Sequence, residues 1–253
     1  MIDVVYVVSN LNDSAVRRLE YSVKSFFKNN GRILVSDTSS DEATRAKIER
    51  LDFDDYYLEK SVGLFNRSRA INNAYRHLVK TENFIVMDID LIAPPDFIRQ
   101  IIRRFNGIYN VGNIIYLPEQ VKNNYYTYLS KNYRRKKYLI GKIPRPLFRG
   151  SFYKSYYSAF FIVNRKRFED VNGFDEEYAG WGAEDEDFSA RITIRNRIKH
   201  YKMEVQCFHQ WHPQTFTVDR NNEIWKEINR KRFREMSRLY EQSQALVCEK
   251  GIR

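Results

Sequence analysis

The sequence predicts an α/β fold with a Rossmann-like, mostly parallel central sheet flanked by helices. Three observations carry this. Apolar extended runs alternate with helical patterns through the first hundred or so residues, as βαβ units require. One of those runs, "FIVMDID", is continuously apolar until it ends in acids, as a strand buried on both faces does at its exit. And 253 residues with 43% hydrophobic content are enough for a large core.

The elements follow in order. "DVVYVVS" reads as a strand, Ser14 to Asn29 as a helix ending before Gly31, "RILVS" as a strand and Glu42 to Leu51 as a helix. "YYLE" is a short strand, Asn66 to Val79 a helix, "NFIVMDID" a strand, and Pro95 to Phe105 a helix with proline in its first turn. From Asn106 to about residue 155 the rhythm breaks. This stretch is rich in Tyr, Asn, Lys and Arg, carries Pro118, Pro144 and Pro146, and is expected as an insertion over one edge of the sheet. "SAFFIVN" resumes as a strand, a helix opens near Ala183, "YKMEVQCF" is another strand, and a long helix follows.

The net charge of +11 and pI near 9.5 imply an anionic partner: nucleic acid, a phosphorylated small molecule or an anionic membrane surface. Lys131 to Arg149 contains no acid, and "WKEINRKRFREMSRLYEQ" is a mixed but basic helical pattern; a solvated face accounts for both equally well. "MIDVVYVVSN" carries Asp3 and no basic lead, and no apolar run reaches the ~18 residues of a membrane span, so a soluble intracellular protein is expected. Cys207 and Cys248 form no CxxC and read as inert thiols of a reducing compartment.

Three motifs carry chemistry. Side chains alternate along a strand, so Asp88 and Asp90 point one way and Ile89 the other, at the carboxyl end where open parallel sheets bind ligands. A hard divalent ion bridging to a diphosphate would separate the two charges; an Asx turn or helix cap is the plainer account. In "GWGAEDEDF", Phe188 and Ile192 mark the buried stripe of a helix. At about 100° per residue, Asp187 and Glu186 fall on the flank and the far side, Asp187 pairing with Arg191 in an ordinary surface arrangement. Glu184 and Asp185 lie within roughly 60° of the buried direction and face the protein body, which makes them candidates for acceptor binding and general base. Trp181, between glycines, offers a plate for a sugar face; capping alone also explains acids in a first turn. "CFHQWHP" sets His209 and His212 three apart at a strand end, where they converge on one ion if the chain turns and Asp90 supplies a carboxylate.

With "LFNRSRAINNAY", "FIVMDIDLIAPPDF", "VNGFDEEYAGWGAEDEDFSARI" and "CFHQWHP" in this order, the chain resembles the GT-A-fold glycosyltransferases. Its motifs are similar to those of the animal β-1,4-galactosyltransferases and polypeptide N-acetylgalactosaminyltransferases, on a family 2-like N-terminal half. The resemblance implies that Phe65 and Arg67 contact the nucleotide, with Ser9 beside them, and that Asp37 in "ILVSDTSSDE" holds the pyrimidine or its ribose. It implies that Asp88 lies by the sugar nucleotide, that Asp90, His209 and His212 hold Mn²⁺ or Mg²⁺, that Trp181 and Glu184 engage the acceptor, and that Asp185 is the base. Three positions depart from the family: His209 stands where the galactosyltransferases have methionine, Ala183 where glycine is usual, and Ala179 where tryptophan is.

The expected organisation is one GT-A domain over 1–253, with a nucleotide-binding half (1–105), a basic flap (106–155), an acceptor and metal half (156–218) and a C-terminal helix (219–253). The expected activity is inverting, metal-dependent transfer of a hexose or N-acetylhexosamine (Gal, GalNAc or GlcNAc) from a UDP-sugar to a glycan or lipid-linked glycan acceptor, which the basic stretch suits if it is anionic. The setting would be bacterial surface polysaccharide assembly (capsule, lipopolysaccharide or O-antigen), in the cytoplasm or peripherally at the inner face of the plasma membrane. Two rivals stand beside it. One is a non-catalytic sugar-nucleotide or glycan binding module. The other is a nucleic-acid-binding protein, suggested by tyrosines among basic residues in "NNYYTYLSKNYRRKKY" and opposed by the acidic cluster, so that no nucleic acid is expected.

Overall fold

Every residue of β1 (Ile2–Val8) is buried, and its side chains divide between two cores. Val4 and Tyr6 enter one, Val5 and Val7 the other, which is the period of two expected of a strand covered on both faces. The protein, described here by a computed structural model, is defined over residues 1–26, 29–60, 63–117, 119, 154–155, 159–180, 182–198, 200–213 and 220–249.

Beside β1 lie β2 (Gly31–Thr38) and β4 (Asn83–Met87), and β3 (Asp55–Glu59) flanks β2; all three pairings are parallel. The connections are α1 (Asp13–Ser25), α2 (Glu42–Ile48) and α3 (Arg67–His77). Each begins on a side-chain cap: Asn12, Asp41 and Asn66 accept from the backbone N–H three residues on. α1 stops four residues before the expected Asn29. The Asn29 N–H bonds to Phe26 O at 2.7 Å, and its side chain ties Ser25 O to Pro94 O, so the chain turns there.

Beyond β4 the sheet becomes mixed. β5 (Leu91–Ile92) and α4 (Phe97–Arg104) lead to β6 (Tyr109–Tyr116); then come β7 (Lys154–Ser155), β8 (Phe160–Asn164), α5 (Arg165–Asp170), α6 (Glu184–Arg195), β9 (Lys202–His209) and α7 (Arg220–Glu249). The nine strands form one sheet in the order β3-β2-β1-β4-β8-β6-β9-β5, with β7 paired to β6. β8 is antiparallel to β4 and to β6, β9 is parallel to β6, and β5 is antiparallel to β9.

The expected insertion over the sheet's edge fails at its start, because residues 109–116 are a buried strand between β8 and β9. Its asparagines hide it in the sequence, yet they are buried and bonded, Asn110 to Tyr201 O and Asn113 to Glu204. Gly112 is needed here, since a Cβ would lie 1.8 Å from the Phe160 ring that crosses it. The basic stretch 131–149 lies outside the described residues.

α1, α2 and α4 cover one face of the sheet through Leu19, Ile48 and Phe97; α3, α5 and α6 cover the other through Ile71, Phe168 and Phe188. Cys207 is buried in the first core, and burial pushes its thiol well above its usual pKa. Among the described residues, no helix is long and apolar enough to cross a membrane.

Candidate active site

β1, β2 and β4 all end at one edge of the sheet, and the residues just past them gather there. Asp90 is held by the turn that follows β4. The Asp88 N–H bonds to Ala159 O at 2.8 Å, the chain reverses, and β5 pairs with β9 so that Leu91 stands opposite His209. The Gln210 N–H donates to Asp90 O at 2.8 Å, and the buried Gln210 side chain donates to Arg18 O at 2.9 Å, which fixes the turn between the histidines.

As a result the Nε2 atoms of His212 and His209 lie 3.1 and 3.4 Å from Asp90 Oδ2. One ligand atom from each of the three residues falls within 4.8 Å of the others. Despite its burial, Asp90 stays below the usual carboxylate range, because the His212 hydrogen bond and the two imidazoles favour its charged form. Burial lowers the His209 pKa against the opposing charge of Asp90; the bond to Asp90 raises that of His212. Asp90 Oδ1 is buried with no hydrogen-bond partner among the described residues. One carboxylate oxygen, two imidazole nitrogens and an unsatisfied oxygen make a mixed N/O donor set that fits a divalent first-row metal ion.

A second cluster forms around Arg67. Asn66 caps α3, its side-chain amide donates to Glu176 O at 2.6 Å, and the Gly180 N–H donates to Phe65 O at 3.1 Å. These ties bring the start of α3 against the lead-in to α6. The Arg67 guanidinium then lies 3.0 Å from Asp88 Oδ1 and 3.7 Å from Glu184 Oε1, with Asp185 also in its field. Burial pushes Glu184 up to about 7 and Asp88 up to about 6, with neighbouring carboxylates adding and Arg67 opposing in both cases.

The four acids of α6 sort by direction. Glu184 is buried, Asp185 half-exposed and Glu186 exposed, as the helical spacing predicts. Asp187 departs from its expected surface pairing. It is fully buried, with Arg191 Nε at 2.7 Å on one oxygen and Tyr240 Oη at 2.8 Å on the other. Spacing gave its direction correctly, but α7 covers that flank. Trp181 lies outside the described residues.

The remaining candidates sit at the ends of β1 and β2, where Val8 stands opposite Asp37. Ser9 Oγ donates to Thr38 O at 2.6 Å. Asp37 is fully buried, accepting from Tyr56 Oη at 2.5 Å and from the Ser40 N–H at 3.2 Å. Phe65 packs on the second core. Tyr56, stacked on Phe53, is a residue of this corner that sequence reasoning did not single out; it arrives there through the register of β3 on β2, opposite Val35, which no local pattern shows.

Residues 7–171 match the model of glycosyl transferase family 2, and residues 145–218 match one described as the N-terminal domain of galactosyltransferase. β-1,4-Galactosyltransferase 4 of Homo sapiens is 28% identical over 185 residues, covering 70% of this chain and 43% of that protein. The Rattus norvegicus protein of the same name is 26% identical over 209 residues, covering 79% and 49%. The chain thus spans about half the length of the curated relatives it matches. Among solved structures, GalNAc-T7 with UDP, GalNAc and Mn²⁺ superposes with a TM-score of 0.54 at 13% identity, over 85% of this chain and 44% of that one. Glucosyl-3-phosphoglycerate synthase from Mycobacterium tuberculosis, in complex with Mn²⁺, UDP and phosphoglyceric acid, superposes with a TM-score of 0.50 at 15% identity, over 84% and 72%. The shared architecture is the GT-A fold. With well over half of its length matched by the first model, the chain belongs to glycosyl transferase family 2 and carries a galactosyltransferase-type C-terminal segment.

Proposed function

We propose that the protein is an inverting, divalent-metal-dependent glycosyltransferase that moves a hexose or N-acetylhexosamine from a UDP-sugar to a hydroxyl of a glycan acceptor. The observation that carries this is the juxtaposition of Asp90, His209 and His212 with the Arg67, Asp88 and Glu184 cluster at the carboxyl edge of the sheet. The neighbouring structures solved with UDP and Mn²⁺ support the donor class and the ion, and the galactosyltransferase relatives favour UDP-galactose or an N-acetylated counterpart.

In this reading Asp90, His209 and His212 hold Mn²⁺ or Mg²⁺, which when bound offsets charge on the departing diphosphate. Ser9, Asp37 and Phe65 border the nucleoside, and Arg67 with Asp88 borders the donor sugar. Glu184 and Trp181 orient the acceptor. Asp185, half-exposed on the same face, takes the proton of the acceptor hydroxyl as that oxygen bonds to the anomeric carbon. The bond from that carbon to the diphosphate breaks with its electron pair leaving on UDP, so one displacement inverts the centre. The net charge of +11 supports an anionic acceptor, or a lipid-linked one at an anionic membrane, and with it a role in surface polysaccharide assembly.

UDP release from UDP-galactose, UDP-GalNAc and UDP-GlcNAc, with Mn²⁺, Mg²⁺ or chelator, tests the reading. It is expected with one donor class and to vanish on chelation. Calorimetry of UDP should show affinity enhanced by Mn²⁺ in the parent and not in Asp90→Ala. Equal enhancement in both overturns the metal assignment.

A further inference from the structure

Family matches end at residue 218, and α7 begins at Arg220, so this 30-residue helix lies outside both. It nevertheless holds the acceptor end of the site from behind. Trp225 packs on Gly180, where an added Cβ would come within 3.0 Å of its side chain. Asn229, 1% exposed, donates to Ala179 O at 2.9 Å. Arg232 donates to Asp175 at 2.7 Å and lies over the Tyr178 ring. Tyr240 donates to Asp187 at 2.8 Å.

Between these grips the backbone is irregular. Gly180 and Gly182 have φ of 71° and 100°, and Ala183, also left-handed at 70°, gives the first turn of α6 no side-chain cap. Four acids crowd that turn, which favours the helix dipole but sets like charges against one another. α7 grips both sides of this lead-in, Ala179 and Gly180 before it and Asp187 after it. Asp187 in turn holds Arg191, whose Nη1 donates to Val171 O at 2.7 Å and Gly173 O at 2.8 Å.

We propose that α7 is a strap that sets the position of Glu184 and Asp185, with two positioning residues: Tyr240, which acts through Asp187, and Asn229, which acts through the Ala179 carbonyl. This rests on the glycosyltransferase reading for its effect on transfer, but not for its effect on structure. The donor corner is built from β1, β2, β4, β5, β9 and α3, so loosening the strap moves the acceptor end and leaves UDP binding alone.

Tyr240→Phe removes one hydroxyl, and Asn229→Ala removes one amide; both keep the helix. Hydrogen exchange of the amides in residues 179–187 should become faster in each by tenfold or more, while those of β1 and β4 stay at the parent's rate. With Mn²⁺ and a donor that the parent uses, kcat/KM for the acceptor should fall about tenfold or more, the order expected from misplacing reacting groups. UDP affinity and acceptor-free donor hydrolysis should stay within twofold of the parent. Arg232→Lys, which keeps the charge beside Asp175, should recover part of the transfer lost in Arg232→Ala. Unchanged exchange in residues 179–187 overturns the strap whatever the activity. So does slower transfer accompanied by equally weaker UDP binding, which would mean a general loss of structure. A parent that releases no UDP from any donor overturns the glycosyltransferase reading instead, and leaves the exchange result standing.

Discussion

The two sides of the first turn of α6 treat buried carboxylates differently. At the front, Asp88, Glu184 and Asp185 crowd Arg67, and the raised pKa values of Asp88 and Glu184 mean that the guanidinium does not offset their burial. At the back, buried Asp187 has Arg191 on one oxygen and a tyrosine hydroxyl on the other, and half-buried Asp175 has Arg232. A buried acid with its cation and hydrogen bonds in place does structural work, and removing one partner is strongly destabilising. Acids left short of compensation in a cleft mark where a ligand or a proton is to be received. Three residues of one helix turn are enough to pass from one regime to the other.

Substitutions along that turn are the ways to break this contrast. The largest expected effect is at the front: Asp185→Asn should lower kcat by about 10² to 10⁴ under saturating donor and Mn²⁺, the range for loss of a general base, with UDP affinity and melting temperature near the parent's. Near-parental turnover would remove Asp185 from the reaction. At the back, Asp187→Asn should cost about 3 kcal/mol of stability, seen in urea unfolding, because Arg191 keeps its burial and loses its counter-charge. A cost under about 1 kcal/mol would return Asp187 to the exposed pairing that its spacing suggests.

Glu184 sharpens the contrast through pH. Its folded pKa of about 7 exceeds the unfolded value of 4.5, so the folded protein holds this proton over a window where the unfolded chain has lost it. The associated stability is fully present below 4.5 and is lost as pH rises through about 7. Glu184→Gln should therefore flatten the decline between pH 5 and 8 and leave the variant more stable than the parent at pH 8, by on the order of 1 kcal/mol. Melting curves that stay parallel across that range would mean that Arg67 neutralises Glu184 fully. The smallest effect belongs to exposed Glu186: Glu186→Gln should change stability by less than about 0.5 kcal/mol and leave turnover alone. A large loss there would make the four acids a bulk charge with no division between front and back.

The front was legible from the sequence and the back was not, for a physical reason. Helical spacing from Phe188 and Ile192 fixes the direction of each side chain, and it sorted Glu184, Asp185 and Glu186 as the structure has them. Direction does not say what covers a flank, and the cover of Asp187 comes from Tyr240, 53 residues further on. The same limit separates β1 to β4 from β6. Of the former, β1, β2 and β4 carry apolar runs that report their own burial, while β3 is half-buried throughout. In β6 the reasons for burial are Phe160 across Gly112 and the Asn110 bond to Tyr201 O, partners that no local pattern contains. The Asp90, His209 and His212 grouping was legible as residue types at strand ends, but the register that joins them, Leu91 opposite His209, is a property of the sheet.

That register also fixes when the cluster can exist. β5 is two residues long and reaches the sheet through β9, which lies between it and β6. On a ribosome, β1 to β4 can emerge and pair while Asp90 still has neither imidazole; His212, 122 residues further on, must be made first. Closing so long a loop is a slow step in folding. An ion that binds all three residues therefore reports a chain whose sheet has been completed to its far edge, and a fragment ending before β9 would carry the corner formed by β1, β2 and β3 without it.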